Sequence, residues 1–183
     1  MVICAVGRTV RIGVGTLKTM GIPDEALALE QRAVGPGETT LGAAYGLLVQ
    51  QWQCGDRDRD LALHLMFLAW YLCAEPPFLT GMDDEARNSI EGHSGSLGEI
   101  FVEVHDDLHR RMPLDPEFNY VVSVMASVCP WACGPPPTDS WEEMAVQRRQ
   151  TYERLVPQGF VAEVFEGRGF YGDYFAHMVR SDS

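Results

Sequence analysis

The hydrophobic pattern of the chain is most distinctive at Leu61–Ala74, where apolar residues surround the whole helical circumference. A helix without a polar face must be surrounded by other helices or by lipid. This run has 14 residues, contains His64 and ends at Glu75-Pro76-Pro77, whereas a membrane span needs about 20 apolar residues. The pattern therefore predicts the buried central helix of a helical domain.

Amphipathic patterns and capping residues predict the helices around this centre. Residues 96–112 carry one apolar stripe, and Ser96 and Glu99 have capping-box spacing. Asp115-Pro116 is typical of a helix start, and this helix should reach about residue 128. The remaining predicted helices span 23–33, 39–53 with Thr39 or Thr40 as its cap, 83–90, 140–156 with Ser140 as its cap, and a terminal aromatic helix containing Tyr171, Tyr174, Phe175 and Met178.

These elements predict an all-α fold, a single-domain irregular bundle of about six or seven helices around the buried helix 61–74. The domain should span residues 22–183, preceded by a poorly structured or short-strand leader over residues 1–21. The alternative is a helix-pair solenoid of tetratricopeptide type, suggested by Leu41-Gly42-x-x-Tyr45, although the spacing between the two halves is too long for that repeat.

Charge and cysteine content narrow the class of protein. The net charge of −12 argues against nucleic acid and anionic membranes as partners, and leaves small molecules, metals and proteins. The five cysteines are an odd number and one of them, Cys73, lies in the buried helix, so a disulfide framework is not expected. The leader lacks the order of a secretory signal, which indicates a cytoplasmic protein. Thirteen arginines against one lysine suggest a GC-rich, bacterial genome, and the run Asp56–Asp60 reads as a solvated charge segment.

The first candidate for chemistry is a histidine pair on the predicted helix 96–112. His105 and His109 are one turn apart, a spacing that lets both imidazoles reach one cation, on the flank of the apolar stripe. Asp106 would then be the nearest base. The alternative is an ordinary, partly exposed helix face.

Three other residues extend this candidate. Cys129 and Cys133 could add two thiolates to the histidine pair and complete a Cys2His2 zinc site, or form a redox pair, or be buried reduced cysteines. His64 could instead complete a three-histidine site with an open coordination position. Its alternative is a neutral core histidine whose ring nitrogen hydrogen-bonds a neighbouring carbonyl or hydroxyl.

The leading functional hypothesis is a non-enzymatic helical module that binds a protein partner, because the chain shows no catalytic constellation. Self-association through the aromatic residues around Phe170–Phe175 is compatible with it. No cofactor is expected under this hypothesis. The competing hypothesis is a metal-dependent hydrolase or transferase with zinc or another divalent transition metal on the histidine pair.

Overall fold

Seven α-helices and two 3₁₀ turns make up the protein over residues 21–32, 40–75, 96–136 and 140–182, which are the residues that the computed structural model describes. The helices are α1 (Asp24–Arg32), α2 (Leu41–Gln53), α3 (Arg59–Ala74), α4 (Leu97–Arg111), α5 (Pro116–Val128), α6 (Trp141–Leu155) and α7 (Gly169–Ser181). The 3₁₀ turns are Pro130–Cys133 and Ala162–Val164. No strand occurs in these ranges, which confirms the predicted all-α fold.

Side-chain caps define where four of the helices begin. Asp58, Ser96, Asp115 and Ser140 each accept a hydrogen bond from a backbone N–H of the following first turn. At α4 the carboxylate of Glu99 also accepts from the backbone of Ser96, which completes the capping box. Each cap satisfies an N–H group that has no partner within its own helix. The predicted starts of α4, α5 and α6 are therefore confirmed.

The core is built on two helices rather than one. Eleven of the 16 residues of α3 are buried, as its apolar circumference predicts, and ten of the 13 residues of α5 are buried as well. The contacts of α3 are chiefly with α2 and α4, whereas α6 packs mainly on α5 and not on α3 as expected. Within the described ranges, no helix combines the length and the apolarity that crossing a membrane would require.

The aromatic residues of α7 are part of this core. The ring centre of Phe67 in α3 lies 5.2–5.8 Å from the ring centres of four aromatic residues of α7, which are Phe170, Tyr171, Tyr174 and Phe175. Tyr171 and Phe175 are fully buried. The rings dock the terminal helix onto α3, as their shared helical face predicts, and self-association through the half-buried Phe170 and Tyr174 stays a prediction.

An ion-pair network joins the start of α3 to α5 and α7. Arg59 donates to Asp115 at 2.6 Å and to Glu117 at 2.8 Å. Glu117 also accepts from Arg168 and from the Tyr171 hydroxyl, both at 2.5 Å. The segment 56–60 is thus not simply solvated, since Arg59 binds two carboxylates of α5.

Two further details concern the predicted boundaries. Thr40 stands at the N-cap position of α2 but makes no capping bond, because its hydroxyl donates to the carbonyl of Leu29 in α1. The leader 1–20, the expected break at 35–37 and the helix expected at 83–90 lie outside the described residues.

Candidate functional site

The predicted histidine pair lies on α4, where its two members have different environments. His105 is 1% exposed, and its ring centre lies 5.6 Å from that of Phe118 and 5.3 Å from that of Trp141. His109 is exposed, and the two imidazole centres are 6.1 Å apart. His105 therefore belongs to the buried face of α4, and only His109 matches the exposed-face alternative.

Arg148 of α6 faces His105 from the opposite side of the site. Its Nη2 lies 3.1 Å from the Nε2 atom of His105, and its Nη1 donates to the Oδ1 atom of Asn119 at 3.3 Å. The guanidinium carbon is 4.7 Å from the centre of the Phe118 ring. These contacts hold the planar guanidinium against an aromatic face, and Arg148 as a residue is only 8% exposed.

The contacts determine the tautomer of His105. A guanidinium can only donate hydrogen bonds, so Nε2 of His105 must accept from Arg148. The proton of the neutral ring is then on Nδ1, which donates to the Oδ1 atom of Asp106 at 2.9 Å. Both ring nitrogens of His105 are therefore engaged within the protein.

Burial and mutual repulsion change the proton affinities of these groups. Burial, with the positive charge of Arg148, lowers the pKa of His105 to about 4 even though its bond to Asp106 acts in the opposite direction. The pKa of His109 is lowered by desolvation and by Arg148. Burial lowers the pKa of Arg148 to about 10, so the guanidinium keeps its charge at neutral pH. At neutral pH, the contact between Arg148 and His105 therefore joins a charged guanidinium to a neutral imidazole.

These side chains line a cleft of about 500 Å³ between α4, α6 and the turn that joins α4 to α5. We call it the Arg148 cleft. Polar residue types outnumber apolar ones in its lining, which consists of His105, Asp106, His109, Pro113, Leu114, Asn119, Met144, Gln147, Arg148, Thr151 and Arg154. A cleft that joins a few convergent polar groups to perturbed pKa values is the usual form of a binding site.

Arg148 has no carboxylate partner among the described residues. This distinguishes it from Arg59 and Arg168, the two arginines that pair with Glu117. Arg59 and Arg168 are more exposed than Arg148, and each binds the carboxylate of Glu117. A buried charge is normally paired, because its removal from water is costly. Two of the five N–H groups of Arg148 are used by Asn119 and His105, and the others are available in the cleft.

No family model, curated protein or solved structure matches this chain. The function therefore has to be inferred from the contacts and charges of the protein itself.

His64 is held in a different part of the core. Its Nδ1 atom lies 2.8 Å from Glu30 of α1, both side chains are fully buried, and its ring stacks on Tyr171 at 4.4 Å. The other oxygen of Glu30 accepts from the backbone N–H of Tyr171. His64 thus joins α3 to α1 and α7, and its partner is a carboxylate rather than the carbonyl or hydroxyl expected of a core histidine.

Cys129 and Cys133 lie at the two ends of one 3₁₀ turn. The thiol of Cys133 contacts the carbonyl oxygen of Cys129 at 3.8 Å, and the same carbonyl accepts from the indole of Trp70 at 3.1 Å. Burial raises the pKa of the Cys133 thiol well above its usual range, which keeps it protonated and unreactive at neutral pH. The turn therefore packs as a structural connection against α3.

A metal site at these residues stays a prediction. In the part of the chain that the structure describes, no group of three or more His, Cys, Asp or Glu side chains is placed to hold a metal ion. The structure brings His105 and His109 together, and it gives His64 other partners. Metal binding by His105 would also require its bonds to Arg148 and Asp106 to break.

Sequence reasoning missed Arg148 and Asn119, although one of them leaves a signal. The buried residues of α6 are Trp141, Ala145, Arg148 and Tyr152, at the spacing of one helical stripe. A charged residue on an otherwise apolar stripe indicates a buried charge with a specific role. Asn119 has no comparable signal, because its burial depends on the turn before α5, to which it donates two hydrogen bonds.

Proposed function

We propose that this protein is a non-enzymatic helical interaction module that binds a carboxylate of its ligand in the Arg148 cleft. The observation that carries the proposal is Arg148, a residue that is only 8% exposed, lines the cleft and has no carboxylate within ion-pair distance among the described residues. A bound carboxylate would supply the missing counter-charge. The fork of N–H groups on arginine matches the two oxygens of a carboxylate.

The charges around the cleft favour a monoanion. Arg148 is the only buried cation of the lining, and Asp106, with a half-exposed carboxylate, lies at the same site. The chain as a whole has a net charge of −12. A dianionic phosphate would be repelled about twice as strongly by these negative charges as a carboxylate. A single carboxylate also needs only one guanidinium to balance its charge.

Neutral donors and a second cation complete the recognition surface. Gln147, next to Arg148 on α6, offers a side-chain amide, and Arg154 lies at the exposed rim, where its guanidinium donates to the hydroxyl of Thr151. A cleft of this size accommodates an amino-acid residue or a small organic acid. The carboxylate therefore comes from a peptide or from a free acid, and these two sources are separated by the experiment below.

The test is a titration with benzoate, followed by the backbone amide signals of the protein in two-dimensional NMR. We expect shifts at the residues that line the Arg148 cleft. In the Arg148→Met variant, which keeps an unbranched apolar stem and removes the charged guanidinium, affinity should fall at least about tenfold, the usual weight of a charge-assisted hydrogen bond. Arg148→Lys should lie between the two, because it keeps the charge but loses the fork.

The matched control is Arg180→Met, since Arg180 is an exposed arginine of α7 that pairs with Glu166 outside the cleft. It should bind benzoate like the wild type. Comparing a short peptide with a free C-terminus and the same peptide amidated distinguishes a peptide carboxylate from a free acid. Equal benzoate affinity in the wild type and Arg148→Met, or no binding of any carboxylate at millimolar concentration, would overturn the proposal.

We also propose a cytoplasmic location. The support for it is the chemistry of Cys129 and Cys133, which lie at the two ends of one turn and form no disulfide with each other.

A further inference from the structure

A second cleft, of about 540 Å³, lies between the C-terminal ends of α6 and α7. Its floor consists of three aromatic rings in mutual contact, with centres 4.9 Å apart for Tyr120 and Tyr152, 5.0 Å for Tyr152 and Phe160, and 5.6 Å for Tyr120 and Phe160. Val156 and Val179 add apolar surface. We call it the tyrosine cleft, and it shares no lining residue with the Arg148 cleft.

The floor contains a buried hydroxyl with no hydrogen-bond partner among the described residues. This hydroxyl belongs to Tyr120, a residue that is 1% exposed. Burial raises the pKa of Tyr120 well above its usual range, so the phenol is neutral and can donate. Buried polar groups are almost always paired, and an orphaned hydroxyl beside a cleft indicates that its acceptor comes from outside the chain.

The rim of the tyrosine cleft has a net negative charge, whereas the buried charge of the Arg148 cleft is positive. Arg149 donates to Glu153 at 3.0 Å and to Asp182 at 3.1 Å, so two carboxylates surround one guanidinium. The guanidinium carbon lies 5.9 Å from the centre of the Tyr120 ring and 5.7 Å from that of Tyr152, and so covers part of the floor. All three side chains are at least 40% exposed, and ion pairs of this kind contribute little, so Arg149 can move outward easily.

The excess of carboxylates at the rim and the character of the floor together select a ligand. Tilted and edge-on rings favour a flat aromatic body. The phenol of Tyr120 requires an acceptor, while Glu153 and Asp182 repel an anion and accept N–H donors. A neutral aromatic carboxamide satisfies all three conditions, since its carbonyl accepts and its amide N–H groups donate.

We infer that the tyrosine cleft binds a neutral aromatic molecule carrying a carbonyl acceptor, such as a carboxamide, which takes the hydrogen bond of the Tyr120 hydroxyl when Arg149 swings outward. This site does not depend on the proposed function. Its ligand differs from that of the Arg148 cleft in charge, because one cleft presents an unpaired cation and the other presents a neutral donor beneath carboxylates.

Three probes of nearly equal shape test the inference, each titrated into the full chain and followed by backbone amide NMR signals. Benzamide is neutral with a carbonyl acceptor, benzamidine is a cation without one, and benzoate is an anion. We expect benzamide to shift the signals of Gly159 and Phe160, two lining residues that lie away from the Arg148 cleft, and the backbone N–H of Phe160 donates to the Tyr152 hydroxyl at 2.6 Å. Benzoate should leave these signals unchanged whether or not it binds in the Arg148 cleft.

The decisive variant is Tyr120→Phe. Because the hydroxyl has no partner within the described structure, its removal should leave the fold at least as stable, and urea unfolding verifies this. Benzamide affinity should fall about fivefold, the usual weight of one hydrogen bond. Tyr174→Phe makes the same chemical change outside the cleft lining and should bind like the wild type.

Three results would overturn the inference. They are no benzamide shifts in the tyrosine cleft, equal benzamide affinity in the wild type and Tyr120→Phe, and tighter binding of benzamidine than of benzamide. The first would mean that the cleft holds water only, and the last would assign it to a cation. Since benzoate reports on Arg148 in the same samples, failure of one site is distinguishable from failure of the other.

Discussion

Acid should destabilise this protein through His105, whose buried ring faces the guanidinium of Arg148. The pKa of His105 is about 4 in the folded protein and 6.5 in an ordinary exposed histidine. Between these two values the unfolded chain binds a proton that the folded protein refuses. Stability is therefore highest above pH 6.5 and falls as the pH drops toward 4.

The size of the effect follows from the two pKa values. Proton linkage gives a loss of about 2 kcal/mol in the free energy of unfolding between about pH 7.5 and about pH 5, and a limit of about 3 kcal/mol below pH 4. Other groups titrate over the same range, so the wild-type curve alone does not isolate His105. The His105→Gln variant removes the titration and keeps an oxygen that can accept from Arg148.

The assay is urea unfolding, followed by circular dichroism, of both proteins at a series of pH values. The stability of the wild type relative to His105→Gln should decline by about 2 kcal/mol over the stated range. His177→Gln removes an exposed imidazole of α7 and should keep the wild-type profile. Parallel stability curves for the wild type and His105→Gln would contradict this prediction. They would mean that His105 binds its proton equally well in the folded and the unfolded protein.

Two further predictions concern stability and share the same urea assay. In Gly98→Ala the new methyl would lie 2.7 Å from the Cα atom of Gly134, so α4 must shift and stability should fall by about 1–3 kcal/mol. Gly46→Ala meets nothing within 4 Å inside α2 and should gain about 1 kcal/mol; equal effects at the two glycines would contradict the close approach. Glu117→Gln weakens the pairing of Arg59, Arg168 and Tyr171 with a buried carboxylate and should cost about 2 kcal/mol or more. Glu166→Gln, which breaks an exposed pair with Arg180, should stay within about 0.5 kcal/mol, and a similar loss in both variants would refute the role of burial.

The histidine pair illustrates how far sequence reasoning extends into the site. The spacing of His105 and His109 placed both rings one turn apart on α4, and the structure confirms this. Their partners were out of reach, because Arg148 lies 43 residues from His105 along the chain and Asn119 lies on a third helix. Which of the two rings is buried depends on how α4 is rotated against α5 and α6.

The aromatic residues of α7 illustrate the same limit for surfaces. Their spacing correctly indicated one helical face, but a periodic stripe does not say whether another helix of the chain or a partner covers it. Here Phe67 of α3 contacts Tyr174 and Phe175, so this face packs against the core of the same chain. Conversely, it takes all neighbouring elements to recognise that, among the described residues, Arg148 has no carboxylate partner and the Tyr120 hydroxyl has no hydrogen-bond partner.

Local sequence patterns were enough to predict the described helices, most of their boundaries and the burial of α3. Caps such as Ser96 and Asp115 act on N–H groups three residues away, and apolar periodicity is a property of one helix, so both are readable from a local stretch of chain. Three features could not be predicted in this way: Glu30 contacts His64, Glu117 binds Arg59, and Arg148 lines a cleft. These contacts depend on the rotation and distance of helices far apart in the chain, and those are set jointly by the packing of the entire core.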